Sequence, residues 1–337
     1  MQLNLFAEDN RLEKLTELGD SLLKLNVVNW ENFRPALEKA FQRERKSNAG
    51  RRPYDVVMMF KVLVLQRLFN LSDDQTEYQI NDRMSFMRFL GLSLGDRVPD
   101  AKTIWLFREN LTKSGVIDQL FIDYCKELEE NGIITRTGTI VDATFVDAPK
   151  QRNTREENKT IKSGDIPEEW KENTPKAKHK LAQKDTDARW TKKNNETHYG
   201  YKNHAKVDVD SKIITNYAVT DASVHDSQRF SNFFTEKDKV AYADSAYVGQ
   251  ELPEHVEAQI CEKGYRNHPL TEEQKQNNRR KSKIRCRIEH VFGFMTGSMH
   301  GITLRTIGIK RAKFNIGLTN LIYNICRYSI ISRKSLA

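Results

Sequence analysis

Apolar positions in the first 133 residues recur at helical intervals. Leu12, Leu15, Leu18 and Leu22 make one stripe, and Phe60, Leu63, Val64 and Leu68 make another, the spacing that gathers side chains on one face of a helix. Turn signals separate the stripes. Gly50-Arg51-Arg52-Pro53 predicts the opening of a second helix, Leu71-Ser72-Asp73-Asp74 a break with a new N-cap, and Val98-Pro99-Asp100 another start ahead of Thr103-Ile104-Trp105-Leu106-Phe107. Short helices joined by such turns allow a helix-turn-helix, although plain packing of a small bundle accounts for the same pattern.

After Gly132 the period changes from helical to alternating. Residues 137–146, 204–209, 213–219 and 239–243 read as strands, rich in Ile, Val, Thr and Tyr. The second and third make a hairpin across Asp210-Ser211-Lys212, and residues 221–234 read as a helix with Asp226 as its N-cap. The order of strands followed by helix, strand and helices predicts a mixed α/β domain over 134–337, preceded by a helical domain over 1–133. Residues 148–198 interrupt the strands with a polar stretch whose composition predicts a partly disordered insertion. Within it, Trp190 among Arg189, Lys192 and Lys193 offers an aromatic ring beside cations, a pairing suited to a nucleic-acid backbone.

Charge sharpens this picture. The chain has 337 residues, with 55 Lys+Arg against 46 Asp+Glu and a net charge of +9. The excess is concentrated at the end, because from residue 279 onward thirteen basic residues face a single acid, Glu289. Such density suits a polyanion, since each phosphate neutralised releases condensed counterions. Arg279, Arg280, Lys281, Lys283, Arg285 and Arg287 are therefore candidate DNA contacts. Lys202 and His204 join them as cations on what reads as a strand edge. The basic segment also carries Ile284, Ile288, Val291, Phe292 and Met295, then Phe314, Leu318, Leu321, Ile322 and Ile325, so its cations are expected on packed helices. No run approaches the roughly 18 apolar residues of a spanning helix. Residues 1–8 have neither a basic nor an apolar leader character, which predicts a cytoplasmic, nucleoid-associated protein with no membrane partner. Cys125, Cys261, Cys286 and Cys326 form no C-x-x-C pair, so neither a disulfide framework nor a zinc site is expected.

A basic α/β protein suits metal-assisted phosphoryl transfer, in which a few carboxylates hold Mg²⁺. Three acids have unusual settings. Asp142 interrupts an apolar strand, Asp244 immediately follows another, and Glu289 stands alone in the basic segment one helical turn after Arg285. Each also has an ordinary reading: a salt bridge for Asp142, a turn cap for Asp244 and pairing with Arg285 for Glu289. His225 could approach the site from the end of a strand, although Asp226 as a helix cap with His225 merely nearby explains that pair more simply.

Short motifs in a fixed order carry a resemblance. They are Gly50-Arg51-Arg52-Pro53-Tyr54-Asp55, Phe89-Leu90-Gly91-Leu92, Pro99-Asp100-Ala101-Lys102-Thr103 with Phe107-Arg108, and Val141-Asp142-Ala143-Thr144. Tyr199-Gly200-Tyr201-Lys202-Asn203-His204, Val219-Thr220-Asp221-Ala222-Ser223-Val224-His225-Asp226-Ser227, Ala243-Asp244-Ser245-Ala246-Tyr247 and Arg285-Cys286-Arg287-Ile288-Glu289-His290-Val291-Phe292-Gly293 complete the series. In this the chain resembles the Asp-Asp-Glu transposases of bacterial insertion sequences, in the family numbered five within the wider insertion-sequence-four-like superfamily. The resemblance implies a ribonuclease-H-like core behind a helical DNA-binding domain. It implies catalysis and Mg²⁺ ligation, with Mn²⁺ as a substitute, by Asp142, Asp244 and Glu289. It further implies cleavage at the terminal inverted repeats of an element, joining of the 3′-hydroxyl ends to target DNA, and action as a homodimer on double-stranded DNA. The family's signature around its third acid reads Tyr, two residues, Arg, three residues, Glu, six residues, Lys. Arg285 and Glu289 match it, Ser282 and Thr296 depart from it, and Arg285 becomes the candidate for gripping a phosphate beside the scissile bond. A non-catalytic DNA-binding regulator and a Mg²⁺-dependent nuclease that cuts without joining are the competing functions.

Overall fold

Capping chemistry sets where the first helices begin. The computed structural model describes residues 7–41, 52–149, 151–193 and 195–335. Gly50 and Arg51 of the expected turn lie outside the described residues, as do residues 1–6. The helices of this region are α1 (Ala7–Glu17), α2 (Arg34–Ala40), α3 (Val56–Leu68), α4 (Asp73–Asp82), α5 (Met84–Leu90), α6 (Ala101–Ser114) and α7 (Val116–Glu130). Asp55 caps α3 by accepting from Val57 and Met58 N–H. Ser72 opens α4 in a reciprocal box with Gln75, and Asp100 accepts from Thr103 N–H to open α6, so the turn signals before α4 and α6 mark their starts. The expected single stripe on α3 is instead a helix buried nearly all round, with Met59, Phe60, Val62, Leu63, Val64 and Leu65 all enclosed. It is the centre of its bundle. Leu18, assigned to the first stripe, is exposed because α1 ends at Glu17. Arg108 is buried against Asp73, with Nη2 donating to Oδ2 at 2.8 Å, and also reaches Gln66, so the Phe107-Arg108 motif ties α6 to the start of α4.

The strands are β1 (Thr139–Asp147), β2 (Arg189–Lys193), β3 (Glu196–Asp208), β4 (Ile214–Asp221), β5 (Val240–Ala243) and β6 (Glu257–Ile260). Four strands follow the alternating segments, although β3 begins eight residues before the expected 204, and β2 and β6 were not expected. Among them lie α8 (Arg155–Lys162), α9 (Glu168–Lys171) and α10 (Pro175–Gln183), and after them α11 (Glu272–Arg285), α12 (Arg287–Thr296) and α13 (Ile309–Ser335). The sheet runs β2-β3-β1-β5-β6, with β4 also on β3. β1, β3 and β4 pair antiparallel, whereas β1, β5 and β6 pair parallel. Leaving out β2, which belongs to the insertion, this is an antiparallel meander extended by two parallel strands, the mixed α/β arrangement of a ribonuclease-H-like core. The chain divides into two compact units, Met1–Phe121 with Leu321–Ala337 and Ile122–Asn320. Among the described residues no helix is long and apolar enough to cross a membrane.

Three expectations change. The insertion is folded: α8 starts on a Thr154–Glu157 capping box, Asn153 and Asn158 side chains donate to the carbonyls of Asp185 and Ala188, and Trp170 is buried with Lys180 and Lys184 over its ring. One enclosed indole and two asparagines supply the burial that the polar composition concealed. Trp190 packs on Tyr199 and donates its Nε1–H to Asn153 O, so its ring belongs to the core. The helix expected over 221–234 is a pair of 3-10 turns, Asp226–Arg229 and Ser231–Phe233, and its cap is His225, whose Nδ1 accepts from Ser227 N–H. Gly200 (φ +153°) is required where β1 ends, because a Cβ there would lie 2.3 Å from Val146 O.

Candidate active site

Register places the first two acids. In the parallel β1–β5 pair Ile140 faces Tyr242; two residues further along each strand come Asp142 and Asp244, on one face by period two. β1 is fully enclosed through Val141 and opens over Asp142–Phe145 before Val146 is buried again. Asp244 follows the last residue of β5 and accepts from Ala246 N–H at 2.8 Å, which caps a 3-10 turn over Ser245–Tyr247. The cap role foreseen for it is therefore real, and it occupies one oxygen only.

The third acid arrives through a helix break. α11 starts on a Thr271–Gln274 capping box with Glu272 and Glu273 in its first turn, and ends with Lys283 and Arg285 in its last, each sign where the helix dipole favours it. The continuous helix expected through residues 284–295 is interrupted at Cys286, and α12 begins with Glu289 in its first turn. Arg285 closes one helix and Glu289 opens the next. Its guanidinium joins both acids: Nη1 donates to Asp142 Oδ2 at 3.3 Å and Nη2 to Glu289 Oε1 at 3.2 Å.

Burial pushes the Asp142 carboxyl up to about 6, and the nearby Asp244 charge adds to the rise against the opposing pull of Ala143 N–H, Arg285 and Lys193. Two carboxylates side by side, one of them desolvated, form a hard oxygen donor pair that a divalent cation fits. Among the described residues, however, no three His, Cys, Asp or Glu side chains come close enough to hold a metal together. Glu289 reaches Asp142 through the arginine. The Tyr247 hydroxyl, buried and without a hydrogen-bond partner, titrates high through burial and then the charges of Asp142, Asp226 and Asp244. The Ala243-Asp244-Ser245-Ala246-Tyr247 motif assigns this tyrosine no role, because nothing in its spacing reveals that the hydroxyl is enclosed.

The basic candidates divide into three groups. Arg279, Arg280 and Lys283 are exposed on α11. Lys281 and Arg287 are half-buried and donate to Ile260 O and Val209 O at 2.8 and 3.0 Å. Beside them a polar cleft of about 370 Å³, lined by Tyr242, Gln259, Asn277, Arg280, Lys281 and Ile284, lies next to the strand that carries Asp244. Lys202 and His204 need correction. They lie on β3, which is paired on both sides, so they are not on an edge. Lys202 is buried and paired with Asp226 at 2.8 Å. His204 is 1% exposed, bonded through Nε2 to Thr220, and pushed down to about 4 by burial, so it carries no charge for a phosphate at neutral pH. Alternation identifies the face of a strand but not whether that face is covered.

A family model described as "Transposase DDE domain" matches residues 134–325, and one described as "Transposase domain (DUF772)" matches residues 6–110. The chain belongs to the family of transposases with a DDE domain, which makes it a transposase and its partner DNA. No solved structure matches it.

Proposed function

We propose that the chain is the transposase of a bacterial insertion sequence of the family numbered five, and that it cuts and joins DNA with Asp142, Asp244 and Glu289. The observation that supports this reading is the adjacency of Asp142, inside β1, and Asp244, just past the end of the neighbouring β5, with Arg285 linking Asp142 to Glu289. Mg²⁺, or Mn²⁺ in its place, would be held by these carboxylates and would supply charge neutralisation and an activated oxygen nucleophile. The chain's own residues do the rest. Arg279, Arg280 and Lys283 hold the DNA backbone, Arg285 grips a phosphate at the scissile position, and the folded insertion borders the same sheet.

Cleavage at the terminal inverted repeat forms a bond from water oxygen to phosphorus and breaks the bond to the terminal 3′-oxygen, which leaves with a proton as the 3′-hydroxyl. In joining, that hydroxyl attacks a target phosphodiester and the target's own 3′-oxygen departs. Only the nucleophile changes between the steps, so one carboxylate set serves both. The helical domain over 1–133 binds the element ends, the domain over 134–337 performs the chemistry, and two copies act together because two ends must be joined in concert.

The reading is tested by incubating the protein with DNA carrying both flanks of its gene, with Mg²⁺ or EDTA, for the wild type and Glu289→Gln. Metal-dependent release and joining of ends by the wild type alone is expected. Release without joining would make the protein a nuclease, and binding without cleavage under Mg²⁺ or Mn²⁺ would make it a regulator.

A further inference from the structure

The guanidinium of Arg285 stands between two carboxylates that the proposed reaction requires to face a metal. It is three-quarters covered (side chain 22% exposed) and contacts Asp142 with one terminal nitrogen and Glu289 with the other. A planar fork can do this; an ammonium, a single point of charge, cannot span both so readily. The bridge also crosses the break at Cys286, so it fixes the first turn of α12 against β1. Among the described residues no three acids gather closely enough for a metal, and the arginine is the one cation bonded to both Asp142 and Glu289.

We propose that Arg285 is the resident counter-cation of this site: it holds Asp142 and Glu289 together in the chain without DNA and yields both carboxylates when a divalent cation neutralises them, which frees the guanidinium for a DNA phosphate. This rests on the reading of Asp142, Asp244 and Glu289 as the catalytic acids. It gives Arg285 two successive anionic partners instead of one and makes it a positioning residue before it touches DNA. The bridge also ties the last residue of α11, a helix with no buried residue of its own, to the first turn of α12, where Ile288 is fully buried. Release of the guanidinium by the acids and its capture by a phosphate are both exchanges of charge-assisted hydrogen bonds, so no bond is made or broken covalently.

The test is Mn²⁺ binding to the full chain without DNA, read as free Mn²⁺ by electron paramagnetic resonance. Arg285→Gln is expected to bind Mn²⁺ about tenfold tighter than the wild type, equivalent to about 1.4 kcal/mol, because no resident cation competes. Arg285→Lys keeps the charge but loses the fork, and is expected to bind about threefold tighter. Lys281→Gln removes a nearby charge that is not in the bridge and should change affinity less than about twofold. Equal affinities for wild type and Arg285→Lys, or equal gains for Arg285→Gln and Lys281→Gln, would overturn the proposal, since charge in general and not the bridge would then set the affinity. Should Arg285→Gln fail to fold, the Arg285→Lys comparison decides alone. Asp142→Asn separates this inference from the reading beneath it. Loss of Mn²⁺ binding in Asp142→Asn with unaltered Arg285 variants would remove the counter-cation role only, whereas undiminished binding in Asp142→Asn would remove Asp142 from the catalytic site.

Discussion

The two faces of the β1–β3–β5 sheet carry charge in opposite ways. On one face, Lys206 of β3 pairs with Asp238 at 2.8 Å, both side chains essentially inaccessible, and Lys202 pairs with Asp226. Burial alone would raise both aspartates, yet their lysine partners hold the Asp226 and Asp238 carboxyls below the ordinary carboxylate range. His204, on that same face, is neutral. On the other face the Asp142 carboxyl is raised by burial and by Asp244, a rise only partly offset by Ala143 N–H, the shared Arg285 and Lys193. Neighbouring strands thus hold one set of charges satisfied and one set under-compensated. A buried charge with a dedicated partner serves the fold, while a carboxylate left short of positive charge is available for chemistry.

The contrast breaks most visibly in catalysis. Asp142→Asn and Asp244→Asn should each reduce DNA cleavage by at least about a thousandfold, the scale of losing an essential charged group in an active site, while gel-shift affinity for the element ends stays near that of the wild type. Parallel loss of binding would return both acids to structural roles.

Next in size is the satisfied face. Asp238→Asn leaves Lys206 enclosed without its counter-charge and should cost about 3–5 kcal/mol in urea unfolding. A cost below about 1 kcal/mol would mean that this face, too, tolerates unpaired charge, and the comparison would collapse.

A smaller effect sharpens the comparison at Asp142. Its carboxyl keeps its proton up to about 6 in the folded chain but releases it near the ordinary value of 3.8 when unfolded. The unfolded state therefore gains as pH rises from 3.8 to about 6, and the folded protein loses stability across that window. Asp142→Asn should consequently be more stable than the wild type by about 1–3 kcal/mol at pH 8, with the difference vanishing below pH 4. A stability loss at pH 8 would show Asp142 to be held as firmly as Asp238. The smallest expected effect concerns the exposed cations of α11, where Lys283→Gln should lower the salt dependence of DNA binding by about one unit of slope, and Lys202→Gln, whose parent side chain is enclosed, should leave it unchanged.

Much of this arrangement was legible in the residues, for reasons that can be named. Asp142 and Asp244 were visible because apolar alternating strands rarely carry a carboxylate at such points, and Ser72 and Asp100 because N-caps announce themselves locally. Lys202 and His204 misled because period two assigns a face without saying what covers it; here Asp226, brought by a 3-10 turn more than twenty residues later, encloses the lysine. β6 went unread because Glu257–Ile260 is half polar and its first two residues are exposed. The break at Cys286 has no Pro or Gly to mark it, and the order of the 148–198 insertion depends on Trp170 meeting Lys180 of α10 and Lys184 just after it.

Whether the under-compensated face is the catalytic centre is decided by localised oxidative cleavage of the protein chain. With Fe²⁺ in place of Mg²⁺ and peroxide added to the protein–DNA complex, radicals form at the bound metal and cut the backbone beside its ligands. Cuts are expected next to residues 142, 244 and 289, absent in Asp142→Asn and suppressed by excess Mg²⁺. Cuts clustered elsewhere, or unchanged in the variant, would contradict that assignment.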